Sequence, residues 1–236
     1  MTALLFGDAM TSEITKQRRQ AYSLPTNWLA YACLSGNGCF AVAVLALHLL
    51  QPERSALNEA VSFYVHGAQG WLFTVGLLAW GFGSAALLLG LARTIRIRAG
   101  AAGLLGLAVW SAGVLTSGLF SADPPIQMYN NPSAVGLIHE NAARASFIAL
   151  PIAALLISHG LRRAPEWRRT AGVIYFFAAM ILVSLIVFFA SLLPISDSLS
   201  PPILFGLTER MLLAVYAAWL CAAAIGLLRS STISAH

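Results

Sequence analysis

Apolar residues run along this chain in six long blocks separated by shorter polar stretches. The blocks cover residues 28–50, 69–92, 99–120, 137–161, 171–193 and 203–228. A helix rising 1.5 Å per residue needs roughly 20 residues to cross a bilayer, and each block meets that length. The first block exceeds the roughly 7–15-residue core of a signal peptide, and no small-residue cleavage site follows it, so it reads as a retained helix. The pattern predicts an all-α integral membrane protein folded as a six-helix transmembrane bundle. Residues 1–27 then form a polar N-terminal segment, 28–228 the transmembrane domain and 229–236 a short tail.

Composition agrees with lipid as the solvent. Of the 236 residues, 58% are hydrophobic and 10% charged, whereas a soluble domain carries about 25% charged residues. The net charge of +5 does not signal nucleic-acid binding, because the basic residues sit in short clusters between apolar blocks. Lys16, Arg18 and Arg19 precede the first block; Arg93, Arg96 and Arg98 follow the second; Arg162, Arg163, Arg168 and Arg169 follow the fourth; Arg229 follows the sixth. These are alternate connections and therefore share one side. The positive-inside rule places that side, and both termini, in the cytoplasm. Arg is the only basic residue besides Lys16, and Ala, Leu and Gly are abundant. That usage points to a GC-rich bacterial genome and hence to a bacterial cytoplasmic membrane.

The outer connections are the longer ones: 51–68, 121–136 and 194–202. Functional polar groups are expected there, where more of the chain is non-helical. Residues 51–68 are expected to hold an interfacial helix with Ser55 as N-cap and Gly67 as its stop. Pro124-Pro125 and Asn130-Asn131-Pro132 mark turns in the second connection. A faint internal echo links the third and last hairpins. Each leaves the membrane through an Asp and a Pro pair, and each re-enters through Gly-Leu with a charged pair three residues on: Gly136-Leu137-Ile138-His139-Glu140 and Gly206-Leu207-Thr208-Glu209-Arg210.

Polar groups that enter the membrane carry the functional signal, since a charge at mid-bilayer costs roughly 2.5–3.5 kcal/mol on insertion scales. Glu140 and Arg144 share one helical face at i,i+4 spacing. Glu209 and Arg210 enter the last block at similar depth from the same side. The simplest arrangement pairs Arg144 with Glu209 across the fourth and sixth blocks and walls an outer pocket with Asp123, His139, Glu140, Arg144, Glu209 and Arg210. Asp123, Glu140 and Glu209 are the candidate acids and His139 the candidate proton relay. Arg144, Arg210 and His66 are the candidate ligand-binding groups. His66, Asp123 and His139 match no tight metal signature, and neither metal nor cofactor is expected. His48 and His159 lie near opposite membrane faces, about 30 Å apart, and cannot clamp one haem iron; both read as structural. Cys33, Cys39 and Cys221 form no CxxC pair and read as small core residues.

Gly76, Gly83 and Gly90 form a small-residue stripe on the second block, and Gly103, Gly106, Gly113 and Ser117 another on the third. Such stripes let helices approach closely, within the bundle or in an oligomer. Pro151, inside the fourth block, is expected to kink its helix and free a backbone carbonyl. No P-loop, GxGxxG fingerprint or GxSxG elbow is present.

The run Gly118-Leu119-Phe120-x-x-Asp123-Pro124, the small residues after His139, the run Gly206-Leu207-Thr208-Glu209-Arg210, and His66-Gly67 with Gly70-Trp71 resemble the prokaryotic six-helix membrane proteins called domain of unknown function 998. The resemblance covers about residues 28–228 and implies a six-helix bundle without naming an activity. Three function classes follow from the residues. One binds or moves an amphiphilic, lipid-like ligand, with Arg144 or Arg210 on an anionic head group. A second is a membrane-embedded enzyme acting on a lipid or isoprenoid through buried carboxylates and His139. The third is a structural or assembly subunit. Polar residues at mid-depth are scattered, which counts against a channel.

Overall fold

The computed structural model describes residues 26–95, 98–193 and 204–233. Lys16, Arg18, Arg19, Arg96, Asp197 and the Pro201-Pro202 pair lie outside them. Seven α-helices occupy the described residues: α1 (Thr26–Leu50), α2 (Gly70–Thr94), α3 (Arg98–Leu119), a short α4 (Pro125–Asn130), α5 (Ala134–Leu161), α6 (Ala171–Ser191) and α7 (Phe205–Ile233). All but α4 are long and apolar enough to cross a bilayer, so the fold is that of a multi-pass membrane protein. In hydrocarbon every backbone group must bond internally, and helices of this length achieve that.

The ends follow local chemistry. Helix α5 starts three residues before the apolar block, because the Ser133 hydroxyl caps it by accepting from the Gly136 N–H at 2.9 Å. The turn expected at Pro124-Pro125 is the start of α4, with Pro in its first turn; Asn131-Pro132 stops it. The interfacial helix expected in 51–68 is a 3₁₀ segment, Val61–His66, which Gly67 ends. Ser55 caps only a turn ahead of it, accepting from the Asn58 N–H at 3.2 Å. Helix α7 runs on to Ile233, past the expected boundary at 228.

Each spanning helix packs on its neighbours in sequence, and α7 closes the ring by packing on both α6 and α1. The glycines set the closest approaches. A Cβ at Gly83 would lie 3.0 Å from the Ala32 carbonyl oxygen and 3.2 Å from the Cys33 Cα of α1; one at Gly106 would lie 3.0 Å from the Ala153 Cβ of α5. Both stripes therefore seat helices of the same chain.

Aromatic rings fill the middle of the bundle. Phe40 stacks on Trp80 at 4.1 Å; Trp80 meets Trp110 edge-on at 5.0 Å, and Trp110 meets Tyr216 edge-on at 5.2 Å. Phe147 continues the chain of rings to Phe188 on α6. Buried indole N–H groups need acceptors. Trp80 donates to Asn37 Oδ1 at 2.8 Å, Trp110 to Ser84 Oγ at 3.0 Å and Trp219 to Ser158 Oγ at 3.1 Å. The scattered mid-depth polar residues Asn37 and Ser84 are thus acceptors for tryptophans.

Candidate functional site

The polar residues at the end of the bundle away from the arginine-rich connections fall into two clusters. The first joins α3 to α5. Asp123 is buried, and both its oxygens accept from Ser133: Oδ2 from the backbone N–H and Oδ1 from the hydroxyl, each at 2.7 Å. Since the same hydroxyl caps α5, the Asp123 carboxylate sits against the positive end of that helix. Gly136 lies so close to this carboxylate that any side chain there would displace it. Three residues on, the buried His139 ring points Nδ1 at the carbonyls of Ser117 (3.0 Å) and Phe120 (2.8 Å). Carbonyls only accept, so Nδ1 carries the proton. Asp123 and His139 together fasten the third hairpin at its connection.

The second cluster ties the 51–68 connection and α1 to α7. The Val61 N–H, first of the 3₁₀ segment, donates to buried Glu209 Oε2 at 2.8 Å. Arg210 donates through Nε to His48 Nε2 at 2.9 Å and through Nη1 to the carbonyls of Glu59 (2.8 Å) and Gly206 (2.9 Å); its Nη2 lies 3.5 Å from the Tyr64 hydroxyl. A guanidinium cannot accept, so His48 Nε2 is the acceptor and its proton sits on Nδ1, 2.6 Å from the Val44 carbonyl. The Arg210 guanidinium also lies 5.7 Å from the centre of the Tyr64 ring. Outside this core, Arg54 pairs with Glu59 at 3.6 Å.

Among the described residues, no hydrogen bond or ion pair connects the two clusters. The expected Arg144–Glu209 ion pair is not among them: Glu209 accepts from Val61 and Arg144 has another partner. Arg144 pairs instead with Glu140 on its own helix, and its side chain is 70% exposed against 26% for Glu140. Helix geometry explains this. Five residues at 100° each place Arg144 about 140° round α5 from His139, and His139 faces α3. His66, the last residue of the 3₁₀ segment, is exposed. Among the described residues it joins no group of three metal-ligating side chains.

Three participants escaped the sequence reading. His48, expected to be structural, holds Arg210; the available signal is that both sit near the same end of their spans. Tyr64 carries no signal beyond its place in the 51–68 connection, while Ser133 stands just ahead of the apolar block, where an N-cap residue is expected. The Gly-Leu echo acquires a physical meaning here. In each hairpin the Gly lets a connection close onto the helix, and the residue three positions on binds backbone: His139 at the end of α3, Glu209 in the 51–68 connection.

A family model described as "Protein of unknown function (DUF998)" matches residues 34–226. The chain belongs to this family. No curated protein and no solved structure matches it. The DUF998 match takes in both fastened clusters and the Glu140–Arg144 pair, and its description attaches no chemistry to any of them.

Proposed function

We propose that this DUF998 protein binds an amphiphilic ligand with an anionic head group, and that Arg144 holds that head group at the outer leaflet of a bacterial cytoplasmic membrane, with both chain termini inside. The supporting observation is the contrast between the two membrane-embedded arginines. Arg210 has its N–H groups on His48, two carbonyls and Tyr64. Arg144 turns outward from the bundle, with Glu140 as its ion-pair partner. Guanidinium has five N–H donors. One carboxylate leaves several of them to be met by whatever faces α5 at that depth, and a phosphate or carboxylate head group meets them bidentately. The filled aromatic core favours a ligand on the surface of the bundle over one passing through it.

A second reading, a structural or assembly subunit, draws support from Asp123, His139, Glu209 and Arg210, all of which bind backbone groups. Enzymatic use of those carboxylates with His139 draws less, since Glu209 and His139 belong to different clusters. Mass spectrometry of lipids retained by the purified protein separates the readings. The native chain should retain anionic lipid above its share of the host membrane. Arg144→Gln should reduce the excess about fivefold, the loss of roughly 1 kcal/mol of contact, with the thermal midpoint little changed. Retention that mirrors the host membrane in both proteins would sink the proposal and leave the assembly reading.

A further inference from the structure

Helices α6 and α7 leave an open groove of about 430 Å³ between them at the opposite, basic end of the bundle. Arg169, Thr170, Val173 and Phe177 line it from the start of α6, and Ala218, Cys221, Ala222, Ile225 and Arg229 from α7. We propose that this groove seats one anionic glycerophospholipid of the leaflet at that end, with the phosphate between Arg169 and Arg229 and one acyl chain lying along the two helices.

Three observations carry the assignment. The first is polarity: both arginines stand at one end, everything beyond Thr170 is apolar or a thiol, and no acidic side chain lines the groove. That is the pattern of an amphiphile with an anionic head. The second is length. From Ala218 to Arg229 the groove follows α7 for eleven residues, about 16 Å at 1.5 Å per residue. Half of a hydrocarbon core of about 30 Å is about 15 Å, so the groove is one leaflet deep. The third is shape. Positions 218, 222, 225 and 229 fall on one face of α7, and alanines at two of them recess its surface between the larger Phe177 and Ile225. The Thr170 hydroxyl donates to the Trp167 carbonyl at 3.2 Å, and the cationic donors at that end of the lining are the Arg169 and Arg229 guanidinium groups.

Cys221 gives a probe inside the groove. In the full-length protein carrying Cys39→Ala, purified in a neutral detergent, the rate of Cys221 alkylation by an apolar maleimide should fall about fivefold when phosphatidylglycerol is added. Phosphatidylcholine of the same chain length and inorganic phosphate should leave it unchanged. Arg169→Gln combined with Arg229→Gln should abolish the protection, and Arg144→Gln should keep it, which separates this site from the one at the outer end. Native mass spectrometry in the Arg144→Gln background, where the head-group contact proposed at the other end is removed, supplies the second readout: adding Arg169→Gln with Arg229→Gln, or the groove-filling Ala222→Phe, should each cost about fivefold in bound phosphatidylglycerol. Protection that survives the double variant, equal protection by phosphatidylcholine or by phosphate alone, or unchanged lipid binding in the Ala222→Phe protein would overturn the proposal.

Discussion

The Tyr216 hydroxyl of α7 donates to the Phe147 carbonyl of α5 at 2.7 Å, and that carbonyl is the one Pro151 leaves without a helical partner. Proline has no N–H, so the carbonyl four residues before it is orphaned. In an apolar core the orphan must be met from outside the helix. Tyr216, itself part of the column of rings, meets it and thereby links α7 to α5. The freed carbonyl expected from Pro151 thus becomes a joint between two spans.

Removing the hydroxyl should expose that dependence. Tyr216→Phe leaves a buried acceptor unsatisfied and should cost about 1–3 kcal/mol, read as a lower thermal midpoint in detergent. Pro151→Ala restores a backbone N–H to the same carbonyl. The cost of Tyr216→Phe measured in the Pro151→Ala background should therefore be smaller than in the native one. Equal costs in both backgrounds would mean that the hydroxyl does not serve this carbonyl.

The α3–α5 fastener makes a different demand on its variants. Ser133→Ala removes a helix cap and should cost about 1 kcal/mol. Asp123→Ala removes acceptors from both the hydroxyl and the backbone N–H of Ser133, and should cost about 2–3 kcal/mol. Because the two residues share a bond, the double variant should cost less than the sum. Strict additivity in thermal or denaturant unfolding would break the proposed link between Asp123 and the cap of α5.

At Glu209 the decisive property is the acceptor oxygen rather than the charge. Glu209→Gln keeps an oxygen that can accept from the Val61 N–H and should cost under about 1 kcal/mol, while Glu209→Leu strands that N–H and should cost about 1–3 kcal/mol. Hydrogen exchange at Val61 should rise sharply in the leucine variant only. A glutamine variant as unstable as the leucine variant would assign Glu209 a role that depends on its ionised form.

Orientation is tested separately, by thiol labelling. By the positive-inside rule the alternating arginine clusters predict residues 51–68 and 121–136 outside. Cysteines placed at the exposed Glu53 and Asn130 should react with a membrane-impermeant maleimide on intact cells, and one at the exposed Arg163 should react only after lysis. The reverse pattern would move the two fastened clusters to the cytoplasmic face.

Hydropathy made the spans legible because crossing a bilayer is a demand on length and composition, and both are properties of a contiguous segment. It also gave the depth of each polar residue: Glu140, Arg144, Glu209 and Arg210 do lie near one end of the bundle. Azimuth was harder. Which way a residue faces depends on which neighbours its helix meets, and an apolar span surrounded partly by lipid shows little contrast between its faces. If His139 faces inward on α5, Arg144, about 140° away, cannot. The Glu140–Arg144 pair was legible because it is local; the Arg210–His48 contact joins residues 162 positions apart and was not.

That difference in azimuth gives the two arginines opposite expected behaviour. Arg210 is half-buried and bonded on three sides. Hydrogen bonds to a charged group are worth about 1.5–3 kcal/mol each, so Arg210→Met, which strands His48 Nε2 and the Glu59 carbonyl, should lower stability by more than about 3 kcal/mol. His48→Phe removes one of those acceptors and should reproduce part of the loss, and the two changes should be less than additive. Arg144→Met removes an exposed i,i+4 pair worth about 0.3–0.5 kcal/mol and should barely move the thermal midpoint. If Arg144→Met proved as destabilising as Arg210→Met, the Arg144 side chain would have to be bound inside the bundle. The head-group contact proposed for it would then lose its basis. If instead the midpoint holds and retention of anionic lipid falls, the outward guanidinium serves a ligand and the inward one serves the fold.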